Sequence, residues 1–289
     1  MTPPRPGLIT ALPVARHVAN CLGKIAGVAA VALGCSRARR ADGIGSDVDL
    51  GIYYQPSNPP SVEQLRHLAC ELHSGDFPSE VTGFGEWGAW VNRGAWLKIQ
   101  GFKVDWLYRD LQRVSQVIED CGRGVITCDY YLGHPHGFHN HIYLAEIHYG
   151  HPLLDPFGIL AQLKQRVSVY PSTLKTALVT KFLYDASFML ALTAPTATRS
   201  DVFHVSGCLF RCAAATIQVL FALNETYFMN EKGALNTIES FPLKPDDFSS
   251  RVRDILASPG KTPDTLKTSL AEMEALIAET RSLANAALS

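Results

Sequence analysis

Two stretches near the start of the chain leave the fold little freedom. Residues 27–33 read Gly-Val-Ala-Ala-Val-Ala-Leu, a continuous apolar run that stops at Gly34. A short run of this kind, bounded by glycine, predicts a buried strand. Residues 47–54 read Asp-Val-Asp-Leu-Gly-Ile-Tyr-Tyr, alternating polar and apolar at first. This predicts a second strand, on which residues two apart share a face. Asp47 and Asp49 then point one way while Val48 points into a core. Pro56, Pro59 and Pro60 end the strand, and Ser61 is placed to cap a helix over 62–73. Two more strands are predicted at 95–99 and 102–108, with Gly101 as the turn of a hairpin between them.

The pattern changes after Asp155-Pro156. Helices are predicted near 157–168, 172–192, 201–228, 247–257 and 263–287, punctuated by Pro171, Pro195, Pro242, Pro245 and Pro259. The stretch 206–223 is apolar nearly all round, which marks a central buried helix. The expectation is an α+β chain in two domains. Residues 1–155 form an N-terminal α/β domain with a mixed sheet, and residues 156–289 form an all-α C-terminal bundle that receives a substrate.

Charge and cysteine usage narrow the partners. The formal net charge is −1, and no basic run of the kind that grips phosphate backbones stands out, so a long nucleic acid is disfavoured. The seven cysteines are odd in number and contain no CxxC pair, which fits neither a disulfide framework nor a structural zinc site. The opening Met1-Thr2-Pro3-Pro4-Arg5-Pro6 does not resemble a signal peptide, and no uninterrupted apolar run reaches membrane-spanning length. The expected setting is the cytoplasm, away from a membrane. Oligomeric state is not legible.

The chemistry concentrates in residues 34–50, Gly-Cys-Ser-Arg-Ala-Arg-Arg-Ala-Asp-Gly-Ile-Gly-Ser-Asp-Val-Asp-Leu. Small residues at 34–36 let backbone N–H groups approach a triphosphate closely, and Ser36 adds a hydroxyl donor. Paired carboxylates such as Asp47 and Asp49 suit a hard, oxygen-loving cation like Mg²⁺. A third acid, Asp105, sits among strand-forming apolar residues in Gly101-Phe102-Lys103-Val104-Asp105-Trp106-Leu107-Tyr108. Asp105 and Leu107 share one face, and Val104 and Trp106 the other. A carboxylate there must be paired or metal-bound.

Gly34 and Ser36, the spacer 37–46, Asp47-Val48-Asp49 and the later Asp105 together resemble the signature of the DNA polymerase beta superfamily of nucleotidyltransferases. They resemble in style its kanamycin- and aminoglycoside-type members. The Pro152-Leu153-Leu154-Asp155-Pro156-Phe157-Gly158 run is similar to those enzymes as well. The resemblance implies Asp47, Asp49 and Asp105 as catalytic, metal-binding carboxylates for Mg²⁺ or Mn²⁺. It implies ATP or another nucleoside triphosphate as co-substrate, held by Gly34, Ser36 and Arg37. It also suggests that a base from the helical half, Lys181, Arg211 or Lys232, touches the triphosphate. The implied reaction moves a nucleoside monophosphate, AMP from ATP, onto a hydroxyl of a small-molecule acceptor and releases pyrophosphate. Adenylylation of a protein hydroxyl and a non-catalytic nucleotide-binding role are the alternatives. Cys35 and Arg40 stand where the family usually and often, respectively, has glycine.

Three further features point less sharply to chemistry. Gly83-Phe84-Gly85-Glu86-Trp87-Gly88 has the GxGxxG spacing, but Ala89-Trp90-Val91-Asn92-Arg93-Gly94 reads as strand and turn rather than helix, so a dinucleotide site is not expected. His134, His136, His139, His141, His148 and His151 crowd one segment at spacings that fit no standard zinc site, and read as a pocket wall. Glu146 in that segment reads as a surface acid or a general base.

Overall fold

The computed structural model describes residues 6–34, 47–86, 88, 90, 92, 94–131 and 133–288. They fall into two compact units, Met1–Glu119 with Tyr143–Val169, and Asp120–Ile142 with Tyr170–Ser289. This division differs from a single cut at 155/156. Residues 120–142 go with the helices, and 156–169 go with the sheet.

The first unit is built on the mixed sheet β3-β4-β5-β2-β1-β8. Its strands are β1 (Val28–Leu33), β2 (Val48–Tyr54), β3 (Glu80–Val81), β4 (Gly94–Ile99), β5 (Phe102–Asp110) and β8 (His151–Leu154). β2 and β5 run parallel, and the other pairings are antiparallel. The β4–β5 hairpin closes through Gln100 and Gly101 with φ of 50° and 84°. Two successive positive φ values give a primed turn, whose twist matches that of the strands.

One face of the sheet carries the core. Val31, Leu33, Val48, Leu50, Ile52, Leu97, Val104, Trp106 and Tyr108 are buried there. Helix α1 (Pro6–Leu22) covers them with Ala11, Val14, Ala15, Val18, Ala19 and Leu22, a spacing of three and four that makes one stripe. Helix α2 (Val62–Leu72) adds Leu65 and Ala69, and the Ser61 hydroxyl caps it by accepting from the Gln64 N–H at 3.3 Å. Helix α3 (Leu111–Gly122) follows β5 directly, its first turn held by the Asp110 carboxylate. Helices α4 (Ile142–Tyr149) and α5 (Ile159–Arg166) flank β8 in sequence. Lys164 of α5 donates to the carbonyls of Ile147, His148 and Gly150 at 2.7–3.1 Å. It thereby satisfies the C-terminal end of α4, where a cation also suits the helix dipole.

The second unit holds the hairpin β6 (Cys128–Tyr131) and β7 (His134–His139), and the helices α6 (Ser172–Ala197), α7 (Val202–Leu223), α8 (Ala234–Ile238), α9 (Phe248–Ala257) and α10 (Pro263–Leu288). α7 packs against α6, α8, α9 and α10, as expected of an apolar helix. Arg251 ties α9 to α10 by ion pairs with Glu272 and Glu279.

One sequence expectation is corrected. Pro195 does not end its helix. It lies in the last turn of α6, which runs on to Ala197, where little of the hydrogen-bond ladder is left to lose. α6 and α7 are long and apolar enough, by length and composition, to span a membrane, although Lys175, Lys181 and Asp185 interrupt the first and Arg211 the second. α7 is mostly buried by its neighbours, as core helices are, whereas α6 leaves Tyr184, Phe188 and Leu192 exposed.

Candidate active site

The parallel pair β2–β5 brings the acids together. In its register Val48 lies beside Val104, Asp49 beside Asp105, and Leu50 beside Trp106. Val48, Leu50, Val104 and Trp106 are at most 1% exposed on the core face. The period of two then turns Asp49 and Asp105 to the opposite face, both half-buried. Neighbouring strands are about 4.8 Å apart, so these carboxylates face one another. Asp47, also half-buried, immediately precedes β2. Burial pushes the Asp105 carboxyl up to about 7, and the charges of Asp49 and Asp47 push it the same way, against a smaller pull from Lys103. Asp47 and Asp49 therefore both act on Asp105.

Gly34 sets how the end of β1 meets this pair. Its N–H donates to the Asp49 carbonyl at 2.7 Å, and a Cβ on Gly34 would lie 2.7 Å from the Asp49 Cβ. Only glycine lets the backbone pass Asp49 at that range. Ser36 and Arg37, with Cys35 and Arg40, lie outside the described residues.

Of the helical-unit bases expected to touch a phosphate, Lys181 has an acidic partner and Lys232 is exposed. Lys181 pairs with Asp185 one turn along α6 at 3.0 Å. Lys232 is exposed in the turn before α8, its backbone N–H held by the Asn230 side chain. Both belong to the second unit, and the three acids to the first.

Glu146 is neither a surface acid nor a free base. Its carboxylate accepts two hydrogen bonds from Arg109, from Nε at 2.6 Å and from Nη2 at 2.7 Å. Arg109 lies on β5 two alternations beyond Asp105, on the same face, and is 3% exposed. Burial works against its charge, and Glu146 more than offsets this and raises its pKa. The guanidinium also lies 5.3 Å from the centre of the Tyr143 ring, and the Tyr143 hydroxyl donates to the Trp90 carbonyl. Sequence reasoning missed this clamp. The available signal was an arginine on a strand position whose neighbours alternate into the core.

The glycine-rich segment is a turn closed on itself. Gly83 N–H donates to Glu86, Gly88 N–H to the Gly85 carbonyl, and Gly85 N–H to Asn92. Strand β4 comes next, not a helix, which removes the geometry a dinucleotide needs.

The site suits a divalent cation in its chemistry: hard carboxylate oxygens, one of them destabilised by the others, on a single face. Among the described residues no three His, Cys, Asp or Glu side chains already stand in a closed ligand cluster. The acids are thus juxtaposed by the strand register without being drawn in around a common point.

Comparison with known proteins adds three findings. A family model described as a domain of unknown function (DUF4037) matches residues 139–232. No curated protein matches the chain. Among solved structures, the chain is similar to a nucleotidyltransferase-like protein from Exiguobacterium sibiricum 255-15. The identity is 11% and the TM-score 0.45, covering 96% of this chain and 78% of that one. A likeness of that strength leaves the assignment to the site itself.

Proposed function

We propose that the chain is a nucleotidyltransferase that moves a nucleoside monophosphate, AMP from ATP, onto a hydroxyl of a small-molecule acceptor. The observation that carries this reading is the in-register pairing of Asp49 with Asp105, with Asp47 on the same charge network. Asp47, Asp49 and Asp105 would hold Mg²⁺ or Mn²⁺. The cation would supply neutralisation of the charge that builds on the transferring phosphoryl group.

The chain's own residues do the rest by placement. Gly34 lets the end of β1 pass close against Asp49 and so fixes where that acid stands. Asp105 takes the proton of the attacking hydroxyl. That oxygen bonds to the α-phosphorus, the bond from the α-phosphorus to the bridging oxygen breaks, and pyrophosphate leaves. Most of the acceleration would come from orientation and preorganised charge. The near-neutral net charge supports a small acceptor over a long nucleic acid.

The test is ATP binding by calorimetry with and without Mg²⁺, on wild type and on the Asp47→Ala/Asp49→Ala variant. Metal-dependent binding that the variant loses supports the reading, and an acceptor screen for pyrophosphate release comes after it. A wild type indifferent to all four nucleoside triphosphates overturns it.

A further inference from the structure

The hairpin β6–β7 in the helical unit gathers a different set of donors. Cys128 and His139 are directly opposite each other across it. Cys128 Sγ lies 3.8 Å from His139 Nε2, and the same Nε2 lies 3.4 Å from His136 Nδ1. An N–H···N hydrogen bond would be nearer to about 3.0 Å. Zinc bonds of about 2.0–2.1 Å to nitrogen and about 2.3 Å to sulfur put tetrahedral edges at roughly 3.3 Å and 3.6 Å. The nitrogen–nitrogen separation sits closer to such an edge than to a hydrogen bond.

We propose that Cys128, His136 and His139 bind one zinc-class divalent cation, with the fourth position open on the Cys128 side.

Three features of the hairpin support this. Gly137 sits between the two histidines with φ +102°, and a Cβ there would lie 2.5 Å from Cys128 Sγ. The glycine makes the room that the thiol occupies. The two imidazoles are also fixed by packing. His136 and His139 are 7% and 2% exposed, and both pack on Phe182. Finally, the Glu231 carboxylate accepts from the His136 backbone N–H at 3.0 Å and holds that residue in place. The His141 ring, 2% exposed and stacked on His139, leaves Nε2 buried without a partner among the described residues. Such an atom calls for a missing polar group, such as a water that a bound ion would order.

No three donors among the described residues already close on one point. Cys128 is the exposed member of the set, so it is the side chain that swings onto the two packed imidazoles. The thiol gives its proton to solvent as the sulfur–metal bond forms. Lys181 and Arg211 oppose the incoming charge from α6 and α7, and Asp129, Asp185 and Glu231 favour it. The inference is independent of the nucleotide-transfer reading.

Cobalt titration of the chelator-treated full chain tests it. One equivalent should give tetrahedral visible bands and a thiolate-to-cobalt charge-transfer band, which Zn²⁺ displaces and excess Mg²⁺ does not. Cys128→Ser should abolish the charge-transfer band, and His139→Ala should weaken binding at least about tenfold. Cys70→Ser, at an exposed thiol of the other unit, should leave it unchanged. Zn²⁺ should also raise the melting temperature of wild type, a readout that does not depend on any variant folding. No charge-transfer band in wild type, a band that survives Cys128→Ser, or no zinc-induced stabilisation overturns the proposal.

Discussion

Asp49 and Asp105 lie side by side on the parallel strands β2 and β5, and burial with their mutual repulsion pushes Asp105 up to about 7. The pair costs the empty protein stability. A folded pKa above the unfolded one means the cost is absent at low pH and grows as pH rises through about 7. Asp105→Asn, measured at pH 8 without divalent cations, should therefore stabilise the chain. A gain of about 1 kcal/mol is expected once solvent screening of this half-buried group is allowed for. The same variant should lose metal-dependent ATP binding. Urea unfolding and calorimetry read the two effects, and a destabilised variant that still binds ATP would falsify the assignment.

Gly34→Ala forces a methyl group to within 2.7 Å of the Asp49 Cβ. Backbone must shift to accept it, so the expected cost is about 1–3 kcal/mol. Nucleotide binding should fall more than stability, because the displaced residue is one of the acids. Urea melts paired with calorimetry measure both. Unchanged ATP affinity in a folded Gly34→Ala variant would remove Gly34 from the site.

The Arg109–Glu146 pair is buried and bidentate. Removing one partner strands a charge, so Glu146→Ala should cost about 3–5 kcal/mol. Replacing both, as Arg109→Met with Glu146→Leu, should recover much of that loss. Equal stability of the single and double variants, read by chemical denaturation, would contradict a structural pair.

His136, His139 and His141 are held neutral by burial, at about 4, 2 and 3. Their folded values lie below the unfolded one, so the stability they contribute is present above about 6.5 and is lost as pH falls below it. The melting temperature of metal-free protein should drop on the order of 5–10 °C from pH 7 to pH 5. His139→Phe should flatten that slope. A melting temperature unchanged across this range contradicts the buried, neutral cluster.

Much of the acid face is legible in the sequence. Alternation alone separates Val48 from Asp47 and Asp49, and Val104 and Trp106 from Asp105, and the sheet keeps those faces. Strands β1, β2, β4 and β5 and the long helices fall within a few residues of their expected bounds, because their periodicity is long and undiluted. The elements that escape are short or discontinuous. β3, β8 and the β6–β7 hairpin have too few residues to show a period, and histidines obscure the last. Residues 120–142 leave the sheet unit and 143–169 return to it, which no scan along the chain can detect. α1 carries a clear stripe from Ala11 to Leu22 that the proline-rich opening masks. Lys181 and Asp185 stand four apart on one helix, a pairing the spacing allows, whereas the bond of Arg109 to Glu146 depends on tertiary placement that composition does not encode.

The sheet order has a consequence for how this chain acquires its chemistry. β1 and β2 form one antiparallel pair and β4 and β5 another, and each contains only part of the acid set. Asp49 and Asp105 become neighbours only when the two pairs dock along β2–β5. That contact closes a long loop, so it comes late and carries an entropic cost that local hairpins escape. During refolding, the ability to bind nucleotide should therefore appear after most strand signal has returned, in step with the consolidation of the sheet centre.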